Sequence, residues 1–79
     1  TEEVLTVYVD QQGRAFLGTE EVSLARLFDR LKEKIGSRED KLVVIRADRA
    51  VILNKAVKVM DIAKAAGAER LCLATEKEF

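Results

Sequence analysis

Leu42-Val43-Val44-Ile45, continued by the charged Arg46-Ala47-Asp48-Arg49 and answered near the end of the chain by Leu71-Cys72-Leu73-Ala74, decides the fold. Four successive apolar residues suit a strand covered on both faces, which is the pattern of a central strand. Between the two apolar runs the spacing predicts a helix from about Lys55 to Ala66. Ala56, Val59, Met60, Ala63 and Ala66 form its narrow stripe, Val57 and Ile62 broaden it, and Gly67 ends it. Strand, helix, strand is a βαβ crossover of sufficient length, so the two strands should be parallel, adjacent or separated by one. Ala50-Val51-Ile52-Leu53 reads as a short extended piece and Asn54 as the N-cap of the helix.

Working outward to the N-terminal half, Val4-Leu5-Thr6-Val7-Tyr8-Val9 alternates as a strand, with Leu5, Val7 and Val9 on one face and Val4, Thr6 and Tyr8 on the other. Asp10-Gln11-Gln12-Gly13 is a turn, and Arg14-Ala15-Phe16-Leu17 completes a hairpin. Gly18-Thr19-Glu20-Glu21 reads as a second turn. Ser23 stands where an N-cap belongs, and Leu24, Leu27, Phe28, Leu31 and Ile35 make the stripe of a helix closed by Gly36 as its C′ residue. Arg26, Asp29, Arg30, Lys32, Glu33 and Lys34 form its solvated face. The order β-β-α-β-α-β is that of an α+β two-layer sandwich, a mixed β-sheet with two helices packed on one face. Two helices are too few to cover both faces, so one face is expected to stay open. Residues 1–79 are expected to form a single domain, with 1–3 and 76–79 frayed.

Composition removes many functions. The chain of 79 residues has 14 Lys+Arg, 14 Asp+Glu, no His and one Cys. Zero net charge argues against a nucleic-acid partner, which asks for a clustered basic excess. Without His, and with one Cys, there is no Cys/His zinc site, no Ser-His-Asp triad and no Cys-His nucleophile. No catalytic residue, metal site or cofactor is therefore expected. No run of about 18 apolar residues and no basic-then-apolar leader occurs, so the piece is expected to be soluble.

A few side chains could still make specific contacts. Arg46, Asp48 and Arg49 form a charged cluster at the carboxyl end of a strand, where open α/β sheets place binding sites. They are a candidate polar contact loop for a partner or a cell-wall carboxylate; the plainer reading has Asp48 accepting turn amides and pairing with an Arg. Asp61, near Lys58 and Lys64, reads as an exposed ion pair on the second helix. Cys72, between two leucines, reads as a packed small hydrophobe, with a redox or cross-linking thiol as the alternative, and Met60 reads as core filler. Four dispersed glycines do not make a phosphate loop.

Val7-Tyr8-Val9-Asp10 with Gly13, Val22-Ser23-Leu24, Leu42 to Asp48, Val59-Met60-Asp61, Ala66-Gly67 and Leu71-Cys72-Leu73-Ala74-Thr75-Glu76 together resemble the periplasmic domain of the ExbD/TolR family. The resemblance covers nearly the whole chain. It departs at Ile52-Leu53-Asn54, where family members often carry Pro, Tyr or Gly. The resemblance implies the periplasmic domain of a single-pass bacterial inner-membrane protein, a companion of an ExbB/TolQ-like membrane protein in a proton-driven motor that energises a TonB- or TolA-like partner. The family's proton-carrying Asp lies in a transmembrane helix outside this chain. A homodimer is implied for the full-length protein, with the strand Leu71, Cys72, Leu73, Ala74, Thr75 as the expected partner or dimer contact. The alternative is a small ligand-binding or regulatory α+β domain, for example one that binds peptidoglycan in the manner of the TolR branch.

Overall fold

Asp10 organises the first hairpin with almost every polar atom it has. Its amide donates to the Arg14 carbonyl (3.0 Å), its own carbonyl accepts from Gly13 (2.9 Å), and Oδ1 accepts from the amides of Gln12 and Arg14 (both 2.9 Å). Oδ2 receives Arg14 Nε at 2.7 Å. Gly13 has φ +82°, the left-handed conformation that closes a short turn at little cost only for glycine. This turn joins β1 (Leu5–Val9) to β2 (Ala15–Leu17).

The described residues of the computed structural model are 4–49 and 53–76. After β2 come β3 (Glu20–Val22), α1 (Leu24–Gly36), β4 (Leu42–Asp48), α2 (Leu53–Ala65) and β5 (Arg70–Glu76). The five strands form one mixed sheet in the order β3-β2-β1-β4-β5. β1 pairs antiparallel with β2 and parallel with β4, and β4 pairs parallel with β5. The two strands of the βαβ unit are adjacent.

Register explains which face is buried. Val7 lies opposite Leu17 and Ile45, and Val9 opposite Ala15 and Ala47, so these side chains share one face. All six are buried. Leu27, Leu31 and Ile35 of α1 and Val59 and Ala63 of α2 join the same core cluster, which places both helices on that face. Met60, Ile62, Leu24 and Phe28 pack against the cluster half-buried, whereas Val57 points outward at 43% exposure. The small residues of α2 let its backbone approach the sheet.

Several expectations are corrected. Glu20 and Glu21, expected as the tail of a turn, form a strand with Val22: only Gly18-Thr19 turns, and Val22 pairs with Ala15, adding a buried residue to the helix face. The element order is thus β-β-β-α-β-α-β. Arg46-Ala47-Asp48 is strand rather than loop, because Val9 extends far enough to pair with Ala47 and β5 supplies ladder partners on the other side. By the same pairing Thr75 and Glu76 stand opposite Ala47 and Asp48, so the ending expected to fray is ladder up to Glu76. The expectations for residues 1–3, residues 77–79 and the extended piece Ala50–Ile52 lie outside the described residues.

The helix ends differ too. Ser23 is the N-cap of α1 in an extended conformation, but its hydroxyl makes no cap hydrogen bond; its carbonyl accepts the amides of Arg26 and Leu27. Gly36 is the last helical residue and has no positive φ, so Ser37 is the cap. Ser37 Oγ donates to the Lys34 carbonyl, and Lys41 Nζ donates to the carbonyls of Ile35 (3.0 Å) and Arg38 (2.8 Å), placing a cation on the negative end of the helix. Asn54 lies inside α2 rather than ahead of it. Gly67 behaves as expected: at φ +118° its amide reaches Lys64 O and the next amide reaches Ala63 O, the Schellman pattern of a helix stop.

Candidate functional site

β5 closes the sheet on one side and β3 on the other. β5 is the longer edge, with seven residues against three. Its inner side is fully laddered to β4, while its outer side faces no strand among the described residues, leaving backbone donors and acceptors available for strand addition. Leu71 and Leu73 lie opposite Val43 and Ile45 and so face the helix layer. Leu71 packs half-buried against the core, whereas Leu73 is 39% exposed. Cys72 and Ala74 point to the open face, and Thr75 is exposed on the helix side.

Cys72 is therefore not the packed hydrophobe its leucine neighbours suggest. It is a free, exposed thiol, because strand alternation sends it to the face that neither helix covers. Asp61 is exposed on α2, and among the described residues it forms no ion pair with Lys58 or Lys64.

The open face is organised in rows across the sheet. Glu21, Phe16, Tyr8, Arg46 and Ala74 form one row, and Thr6, Val44 and Cys72 the next. The rings of Tyr8 and Phe16 stand 6.2 Å apart at 50°, and the Arg14 guanidinium lies 5.9 Å from the Phe16 centroid. Arg46 is thus a surface residue beside Tyr8, Asp48 a half-buried one further along the same face, and Arg49 an exposed turn residue. The structure brings Arg46 and Asp48 onto one face but makes them part of β4 rather than of a loop. Sequence reasoning did not single out the aromatic pair; outward alternation of Tyr8 combined with the hairpin register was the signal.

A cleft of about 520 Å³ opens at the opposite end, between the start of β1, the β2–β3 turn and the last turns of α1. Leu5 and Leu17 line it with Arg30, Lys34 and Arg38 and one carboxylate, Glu20. Arg30 hydrogen-bonds Glu20 and, through that bond and its charge, holds the carboxyl below its ordinary range; Lys34 and Arg26 add to this and burial opposes it. Among the described residues no group of three or more His, Cys, Asp or Glu side chains could hold a metal ion.

The architecture is an open-faced α+β sandwich whose long edge strand β5 has one strand neighbour, β4, among the described residues. The family described as Biopolymer transport protein ExbD/TolR matches residues 1–78, and the chain belongs to it. No curated protein matches the chain. The family is membrane-associated, serves biopolymer transport in the bacterial envelope and works with ExbB/TolQ and TonB/TolA partners; it is a transport family rather than an enzyme family. Among the described residues no helix is long and apolar enough to cross a membrane.

Proposed function

We propose that this chain is the periplasmic interaction domain of a single-pass inner-membrane protein that couples the proton-motive force to a TonB- or TolA-type partner. It docks through the outer edge of β5, over Leu71 to Thr75, either to a second copy or to an extended segment of the partner. The observation that carries this reading is the bare seven-residue edge in a chain matched to the ExbD/TolR family over its length. Strand addition there pairs the unpaired backbone groups and covers the exposed part of Leu73.

Association of the isolated domain must overcome several kcal/mol of lost freedom, so tethering in a membrane complex favours it by raising the effective concentration. The test places single cysteines at Leu71, Leu73 and Thr75 in a Cys72→Ala background of the membrane-anchored protein, followed by mild oxidation. Cross-linked species at one or more positions are expected. Their absence at all three, with the fold intact, rejects β5 as the contact between copies.

A further inference from the structure

We propose that the occupant of the β5 edge is a second copy of this chain, paired antiparallel about a two-fold axis at Leu73. The inference rests on the β5 contact proposed above and adds its orientation and register.

Backbone parity defines what the edge offers. In a parallel ladder both polar groups of a residue turn to the same neighbour, and successive residues alternate sides. The Arg70 amide donates to the Lys41 carbonyl (3.3 Å), whereas the amide of Leu42, its register partner, donates to Asp40 Oδ1 (3.2 Å). Arg70, Cys72 and Ala74 therefore turn their backbone groups to β4, and Leu71, Leu73 and Thr75 turn theirs to the free edge. An axis at Leu73 sets Leu71 opposite Thr75 of the second copy and Leu73 opposite Leu73, so all three outward residues exchange hydrogen bonds. An axis at Cys72 would set Thr75 against Glu69, which lies ahead of β5, and an axis at Ala74 would carry Leu71 past Glu76, where β5 ends. Either leaves one outward residue of each copy without a strand partner.

Side chains fit the same register. Cys72 and the small Ala74 meet in the close, non-hydrogen-bonded pairs, on the face that carries neither helix. Leu73, 39% exposed, meets its own copy at the centre on the helix side. The other edge disfavours open assembly: β3 has three residues, of which Glu20 and Glu21 are exposed acids, so β5 adding to β3 of another copy is a poor match, and pairing of β5 with itself closes the assembly.

The experiment oxidises three forms of the membrane-anchored protein with diamide: the native sequence, Ala74→Cys, and Ala74→Cys combined with Cys72→Ala. Opposed residues of a non-hydrogen-bonded pair have Cα atoms about 4.5 Å apart, within disulfide reach, whereas diagonal neighbours stand roughly 7–8 Å apart, beyond it. Covalent dimer is expected from Ala74→Cys alone, with peptide mass mapping the link between position 72 of one copy and position 74 of the other, and it should be lost when Cys72→Ala is added. Leu73→Cys in a Cys72→Ala background should link through position 73 of both copies. Efficient dimer from the native sequence would put the axis at Cys72, and dimer from the combined variant would put it at Ala74; either result overturns the register while leaving β5 as the contact between copies. Cross-links from β5 cysteines to a different protein instead of a second copy overturn this inference and leave β5 as a docking edge. Absence of any link in all four forms, with circular dichroism showing the fold intact, removes the contact between copies and this inference together.

Discussion

Cys72 stands opposite Val44 in the parallel register of β4 and β5, on the sheet face that carries neither helix. A thiol on the edge strand of an uncovered face is a built-in reporter of whether anything covers it. At micromolar concentration the isolated, folded domain should react with a maleimide or disulfide reagent within several-fold of the rate of the urea-unfolded chain. Labelling that requires unfolding would place Cys72 inside the protein. Slowing of the reaction as protein concentration rises would report self-association over this face.

Leu31 and Val57 make a contrasting pair on the two helices. Leu31 is fully buried in the core, so Leu31→Ala should cost roughly 2–5 kcal/mol in urea unfolding, a large share of the stability of a domain this small. Val57 is 43% exposed, and Val57→Ala should stay within about 0.5 kcal/mol. A loss below about 1 kcal/mol at Leu31 would contradict the assigned core face.

The two helix-terminal glycines should respond to alanine with opposite signs. Gly67 holds φ +118°, so Gly67→Ala imposes backbone strain on the order of 1–3 kcal/mol even though the new Cβ would meet Ile35 at an ordinary 3.5 Å. Gly36 is helical with open space around it, and Gly36→Ala should be neutral or stabilise by about 0.4–1 kcal/mol. Midpoints of chemical unfolding for the two variants decide this directly.

Lys41→Met removes the ammonium that caps Ile35 and Arg38 while keeping most of the stem volume. Because the site is half-buried and the donor charged, the loss should be about 1–2 kcal/mol, with hydrogen exchange accelerated in the last turn of α1 before elsewhere. Unchanged exchange at Gly36, Ser37 and Arg38 would contradict a capping role.

Acid should destabilise the domain through three carboxylates. At Asp10, burial raises the pKa, but the amides of Arg14 and Gln12 and the Arg14 guanidinium outweigh it, and the net shift is downward. Glu20 is lowered mainly by its hydrogen bond from Arg30, and Asp40 mainly by the one from Arg70. Each group has a folded pKa below its unfolded value, so the unfolded chain binds more protons in that interval. The stabilisation is present at neutral pH and is lost as pH falls below roughly 4. Glu20 and Asp40 are solvent-exposed while Asp10 is half-buried, so added salt should shrink the pH dependence of the melting temperature mainly through the first two. A melting temperature that stays flat from about pH 6 to about pH 2.5 at low salt would refute the assignment.

Much of the fold was legible because the relevant signals are local. The alternation of Leu5, Val7 and Val9, the stripes of both helices, the turn at Asp10 to Gly13 and the stop at Gly67 each depend on residues within a few positions of one another. The sequence by itself determined two helices, the hairpin, a parallel βαβ unit and an open sheet face. It also carried the family pattern. Only the tertiary structure decided how far strands run, because a ladder continues where a distant partner exists: Val9 draws Ala47 into β4, and Asp48 draws Glu76 into β5. It likewise decided that Cys72 is bare and that Lys41, not Gly36, completes α1. The basic cleft belongs to this second class. Arg30, Lys34 and Arg38 read as scattered surface charges until β1 and the β2–β3 turn are folded against them, and only that packing brings them along the lining of one cleft.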